Sequence, residues 1–161
     1  MLRPICEQDL PFLQALISDP DDSAHMYQGF RDPREWRQRW EASRSLVGDG
    51  GGAVLVVAGE EPAGVISWDQ HQWFGRPCWS LGIELERAAR GRGIGSRAHE
   101  LMVSYLFAQT LPDRIEAYTE AGNFAERRAL ERSGFTLEGT LRRVCFRAGQ
   151  WRDGVLYSII R

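Results

Sequence analysis

Apolar residues recur along this chain in two rhythms, one of about three and a half residues and one of two, and the alternation of the two predicts the elements. A short strand is expected at Leu2 to Ile5. Leu10, Leu13, Leu16 and Ile17 then fall on one helical face, in a helix opened by Asp9-Leu10-Pro11. Asp32-Pro33-Arg34-Glu35 predicts another helix start: Asp32 can cap, Pro33 suits the first helical position, and Glu35 can reach back as in a capping box. Trp36 and Trp40 follow one turn apart, a spacing that predicts core packing. Between these helices and the strands that come next, Val47 to Gly52 is glycine-rich and reads as a surface loop.

Ala53 to Ala58 and Gly64 to Trp68 are apolar, β-branched runs around Gly59-Glu60-Glu61-Pro62, and so predict a hairpin; a third strand is expected from about Cys78 to Glu86. From Ile94, the set Ile94, Ala98, Leu101, Met102, Tyr105 and Leu106 traces the stripe of an amphipathic helix. Arg114 to Glu120 alternates as a strand. Phe124 to Arg132 predicts a helix stopped by Gly134 in a left-handed cap, with Phe135 as its apolar partner. Two final strands, Phe135 to Arg147 and Trp151 to Ile160, join through Ala148-Gly149-Gln150. Strands with interspersed helices make this an α/β chain with a mixed sheet, and 161 residues fit a single domain, 1–161.

The chemistry is concentrated where the third strand breaks into Arg90-Gly91-Arg92-Gly93-Ile94-Gly95-Ser96 and enters a helix. Glycines there let backbone N–H groups point one way and approach a ligand closely, and the helix N-terminus adds a positive end, so the segment predicts an anion site. Arg87, Arg90, Arg92 and Arg97 supply local charge. The site is not a Walker loop, because all 20 basic residues are Arg and that motif needs Lys; nor does Gly-x-Gly-x-Gly late in the chain match a dinucleotide fingerprint.

Composition narrows the rest. A net charge of -2 gives no reason to expect nucleic acid as a direct partner, no apolar stretch approaches a membrane span, and no export signal follows Met1. Cys6, Cys78 and Cys145 are too few and too scattered for a disulfide framework or a zinc site, so no metal is expected and a reducing, cytoplasmic setting fits. Asn123 is the only Asn in the chain.

With these residues in view, the chain resembles the GCN5-related N-acetyltransferase (GNAT) family, and in pattern its ribosomal-protein (RimJ/RimL-like) branch. Arg90 to Gly95 is similar to that family's Arg/Gln-x-x-Gly-x-Gly/Ala signature. Asn123 followed by Leu130-Glu-Arg-Ser-Gly-Phe135 matches its Asn and Gly-Phe block, and Gly139-Thr-Leu-Arg142 with Gly149-x-Trp-Arg-Asp153 resembles the branch's closing hairpin. The resemblance implies a GNAT fold, with a mostly antiparallel sheet of six or seven strands flanked by about four helices. It implies acetyl-CoA as co-substrate. Ile83, Glu84 and Leu85 would hold the pantetheine arm through backbone groups; Arg90, Gly91, Arg92, Gly93, Ile94, Gly95 and Ser96 would hold the pyrophosphate; Asn123 would bond the thiol end, or cap a helix, or both.

Departures from the family pattern leave the acid and base open. A Tyr common in relatives is Leu130 here, a Ser is Glu126, and a glutamate is Tyr118. Glu84 and Glu120 are the candidate bases acting through water, each equally readable as an ordinary solvated carboxylate. Tyr118, on one strand face with Glu116 and Glu120, is the candidate acid. His71, among Trp68, Trp73, Phe74 and Trp79 in a strand turn, reads either as the roof of an acceptor pocket or as packing. The expected activity is acetyl transfer to a primary amine, foremost a protein or peptide α-amine, by a monomer or homodimer. The alternatives are a small-molecule amine such as a polyamine or antibiotic, for which Asp19, Asp21 and Asp22 offer acidic character, and a non-catalytic acyl-CoA sensor.

Overall fold

The computed structural model describes residues 1–18, 31–43 and 46–161. In chain order these form β1 (Leu2–Pro4), α1 (Leu10–Ser18), α2 (Glu35–Ser43), β2 (Val47–Gly48), β3 (Gly51–Ala58), β4 (Glu61–Trp73), β5 (Arg76–Leu85), α3 (Ile94–Gln109), β6 (Arg114–Glu120), α4 (Phe124–Arg132), β7 (Thr136–Arg147) and β8 (Gln150–Ile160). The acidic trio Asp19, Asp21 and Asp22 lies outside the described residues. The strands make one sheet ordered β1-β3-β4-β5-β6-β8-β7, with β2 paired to β3. Every pairing is antiparallel except β5 with β6. That exception follows from α3: a parallel neighbour needs a long crossover, and the 16-residue helix provides it.

Period-two alternation explains why β3 reads as an unbroken apolar run. Leu55 and Val57 face a core beneath α1 and α2 with Leu10, Leu13, Trp36 and Val65, while Val56 faces a second core beneath α3 and α4 with Ile66, Met102, Leu106 and Leu130. Helices therefore cover both faces of the sheet's middle, and both faces must be apolar.

Three details differ from expectation. The sheet has eight strands, because part of the glycine-rich segment pairs as β2; a Cβ on Gly52 of β3 would lie 2.8 Å from the Leu46 carbonyl oxygen just before β2, so that close approach depends on glycine. Helix α2 begins at Glu35, after a turn in which Asp32 Oδ1 accepts from Arg34 N at 2.8 Å, and the Glu35 carboxylate, expected to reach back to Asp32, pairs with Arg31 at 2.9 Å. In α3 the buried stripe runs through Ala98, His99, Met102, Val103 and Leu106, leaving Tyr105 exposed. A polar residue holds that stripe: His99 Nε2 meets Glu126 Oε1 at 2.8 Å, which ties α3 to α4. No helix among the described residues is long and apolar enough to cross a membrane.

Candidate active site

Strands β5 and β6 pair only at Trp79 with Ile115, Ser80 with Glu116 and Leu81 with Ala117, and then part. Beyond that point Gly82 to Leu85 keep their antiparallel partners on β4, and Tyr118 to Glu120 keep theirs on β8. Each strand thus turns one edge toward a wedge-shaped cleft, and the backbone groups on those edges have no strand partner across it. Gly64 helps set the opening, since a Cβ there would fall 2.2 Å from the Glu84 carbonyl oxygen and push β5 away.

At the end of β5 the chain passes a single 3-10 turn, Arg87–Ala89, and reaches the glycine loop. Gly91 and Gly93 have φ of 72° and 78°, and a Cβ on either would meet nothing within 4 Å, so the backbone conformation alone demands glycine here. Gly93 is the N-cap of α3, with Arg97 N donating to its carbonyl at 3.1 Å. The N–H groups of Gly93, Ile94, Gly95 and Ser96 consequently have no intrahelical acceptor, and they gather beside the mouth of the cleft. Gly95 is helical and makes ordinary contacts with Leu85 at 3.5 Å and Ala129 at 3.9 Å. Ile83, Leu85 and Ile94 pack their side chains on the α3 core.

The arginines divide their work. The Arg90 guanidinium donates to the Leu85 carbonyl from Nε at 2.9 Å and Nη2 at 2.7 Å, fastening the loop to the end of β5. Arg92 leans toward the Ala88 carbonyl at 3.4 Å, and Arg97 pairs with Glu100 at 2.8 Å. The Ser96 carbonyl accepts from Ser133 Oγ at 3.0 Å, which holds the first turn of α3 against the end of α4.

Asn123 caps α4: its Oδ1 accepts from Glu126 N at 3.3 Å, and its Nδ2 donates to Thr119 Oγ1 at 3.1 Å. Nδ2 carries a second hydrogen besides the one given to Thr119. Leu130 is completely buried in the core.

None of the three acid–base candidates is an isolated solvated group. Glu84 is largely buried and pairs with Arg31 at 2.7 Å; burial drives its carboxyl above the usual range and Arg31 only partly offsets that. Glu120 is buried in an ion pair with Arg147 at 2.7 Å and approaches Arg152 at 3.4 Å. Tyr118 donates its phenol proton to Glu116 Oε2 at 2.7 Å, and burial together with that carboxylate raises its pKa.

Glu116 is the hub that sequence reading noted only as a neighbour. Fully buried, it also accepts from Arg114 Nε at 2.6 Å and Trp73 Nε1 at 3.1 Å. Burial pushes its pKa up, but the donors from Tyr118, Trp73 and Arg114 outweigh this and the net shift is downward, so it is held ionised. His71 lies within β4, two residues before Trp73, and the turn expected around it falls at Phe74 and Gly75. Its Nε2 is 3.1 Å from Glu116 Oε2 and 2.8 Å from Cys78 Sγ, whose thiol burial pushes up to about 11. Sequence spacing had given Cys78 no partner; strand register brings it opposite His71. Glu116's oxygens are already engaged by the three donors, and the His71–Cys78 separation is shorter than two ligands spanning a zinc ion require.

The family description for the acetyltransferase (GNAT) domain matches residues 1–136. The chain belongs to the GNAT family. Among curated relatives it is 35% identical over 80 residues to the probable N-acetyltransferase YjcK of Bacillus subtilis (strain 168); that stretch is 50% of this chain and 44% of YjcK. Two solved N-acetyltransferase structures show how far the fold extends. A spermidine N-acetyltransferase from Vibrio cholerae, in complex with CoA and spermine, matches with a TM-score of 0.86 at 17% identity over 99% of this chain and 94% of its own. A ribosomal-protein-alanine N-acetyltransferase from Brucella melitensis matches at 0.84 and 24% identity, over 100% and 99%. At these identities the likeness is one of fold.

Proposed function

We propose that this GNAT domain binds acetyl-CoA in the β5–β6 cleft and transfers the acetyl group to an α-amine of a peptide or protein. The observation that carries the reading is the continuity of the cleft with the glycine loop: the free edge of β5 leads past Leu85 to the unpaired N–H groups of Gly93 to Ser96. An extended amide-bearing arm fits the strand edge along Ile83, Glu84 and Leu85, where Glu84 turns its carbonyl toward Gly64 on β4 and the Leu85 carbonyl is taken by Arg90, so the Ile83 backbone is its main contact. A pyrophosphate fits the loop from Arg90 to Ser96, where backbone donors and the helix dipole both favour negative charge. Asn123 stands at the opposite wall, where its spare N–H can meet the thiol end.

When bound, acetyl-CoA supplies the activated acyl group. The nitrogen–carbon bond forms as the carbon–sulfur bond breaks, CoA leaves as the thiol, and an acceptor that arrives as an ammonium releases one proton to solvent. Because Glu84, Glu120 and Tyr118 are each held by a partner, this site works chiefly by placing reactants and by aiming backbone donors at developing charge. An α-amine suits such a site. Its reference pKa near 8 leaves a useful neutral fraction at pH 7, whereas a lysine side chain near 10.4 needs a stronger base.

The test is CoA release from acetyl-CoA with a panel of peptides, polyamines and aminoglycosides. Fastest turnover with peptide α-amines is expected. Faster turnover of a polyamine or aminoglycoside than of every peptide assigns the acceptor to the small-molecule class instead, and CoA binding without release in any mixture describes a sensor.

A further inference from the structure

Tyr118 is the first residue of β6 beyond its last pair with β5, so it stands at the apex of the cleft. Tyr118, 37% exposed, borders a cavity of about 210 Å³ whose other walls are Thr119, Leu141, Val144, Gly154 and Val155. Two backbone features build that cavity. Gly154 contributes no side chain, and a Cβ there would fall 2.8 Å from Val144 Cγ2. Across from it, β7 bulges between Leu141 and Cys145, with Arg143 at a φ of 54°, which breaks the regular pairing with β8. None of the six lining residues carries a charge, and the carboxylate of Glu120 is paired with Arg147. A dry apolar cavity of roughly 150 Å³ holds a benzene-sized ligand, so this one has room for an aliphatic or aromatic side chain.

Tyr118 itself is polarised by its partner. With its only proton donated to a buried, ionised Glu116, the phenol oxygen keeps lone pairs and has no donor left to offer a ligand. A group in that state receives an N–H.

We infer that Tyr118 and the adjoining cavity form the acceptor subsite. The phenol oxygen takes an N–H of the acceptor amine, and the cavity between β7 and β8 takes the apolar side chain on the neighbouring carbon. The acceptor class is therefore an α-amine whose first residue carries an aliphatic or aromatic side chain. A polycation finds no uncompensated carboxylate among the lining residues. Glu116 is a positioning residue in this scheme, acting on the substrate through Tyr118. The inference rests on the acetyl-transfer reading above.

The experiment measures CoA release with acetyl-CoA and peptides that differ only in the first residue, Gly, Ala, Val or Leu, with spermidine alongside. In the parent protein kcat/KM should rise from Gly to Leu by about tenfold or more, as an apolar pocket gains from each added methylene. Val144→Phe, at a half-exposed position, should fill the cavity and erase that preference, and Leu141→Phe should do the same from the other wall. Tyr118→Phe should raise KM for every amine about tenfold, as expected for losing a hydrogen bond to a charged group, with a smaller change in kcat. Equal rates for Gly and Leu peptides, a preference that survives both wall substitutions, or a Tyr118→Phe variant with lower kcat at unchanged KM would each overturn the subsite while leaving acetyl transfer intact. A parent protein that releases no CoA with any amine overturns the acetyl-transfer reading, and the subsite with it.

Discussion

The two walls of the cleft are built by opposite means. On the β5 side the recognition elements are backbone: an unpaired strand edge, two left-handed glycines and the first turn of α3, with Arg90 fastening them together. On the β6 side they are side chains locked by one another, with Glu116 gathering donors from Arg114, Trp73 and Tyr118 and with Glu120 held by Arg147 and Arg152. A backbone site recognises what all its ligands share, which on the proposed reading would be a phosphate and an amide-bearing arm. A side-chain site can be re-cut without disturbing it, which is how one fold serves many acceptors.

The comparison is broken most severely by Glu116→Ala. Removing a fully buried carboxylate leaves Arg114 without one of its partners and Tyr118 and Trp73 without an acceptor, so a loss of about 3 to 5 kcal/mol is expected in denaturant unfolding. A loss below about 1 kcal/mol would mean that the hub is an ordinary surface network.

Asn123→Ala sharpens the contrast at the junction of the walls. Loss of a helix cap is worth about 1 kcal/mol in stability, whereas misplacing a reacting thioester lowers rate by roughly a hundredfold. Unchanged kinetic constants with reduced stability would leave Asn123 as a cap alone.

The smallest effect belongs to the rim of the side-chain wall. Its Arg114 partner and the Ser158 hydroxyl hold the Glu138 carboxyl down at about 2. A depressed carboxylate contributes stability that is present above its unfolded pKa, near 4.5, and is lost as pH falls through about 2. Glu138→Gln should flatten the stability profile in that window, by less than about 1 kcal/mol because the pair is partly exposed. An unchanged slope would show that the rim adds nothing to the wall.

How much was legible in the sequence follows the same division. Gly91 and Gly93 announce themselves because only glycine adopts their conformation without strain, and the α4 boundaries because Asn123 and Gly134 close its ends. The Glu116 hub left no such trace: Arg114, Glu116 and Tyr118 are close in sequence, but Trp73 and His71 reach it from β4, more than 40 residues away. Arg31 escaped notice for the same reason, since its partner Glu84 lies 53 residues away. The stripe of α3 departs from its apolar pattern at Tyr105, which is half-exposed, while a buried position goes to the polar His99, whose Nε2 meets Glu126. Strand β2 carries no apolar alternation, because three of the four residues in its two-residue pairing are glycine.

The central claim is that the glycine loop and the parted strands hold acetyl-CoA, and thermal unfolding of the parent protein and Gly93→Val with and without CoA tests it most directly. At a hundredfold excess over the dissociation constant the parent should gain about 2.7 kcal/mol. Gly93→Val should still fold, at a cost of about 1 to 3 kcal/mol for a β-branched residue at positive φ, and should gain almost nothing from CoA. A parent protein whose unfolding is unmoved by CoA or acetyl-CoA, or a Gly93→Val variant stabilised as much as the parent, would contradict it.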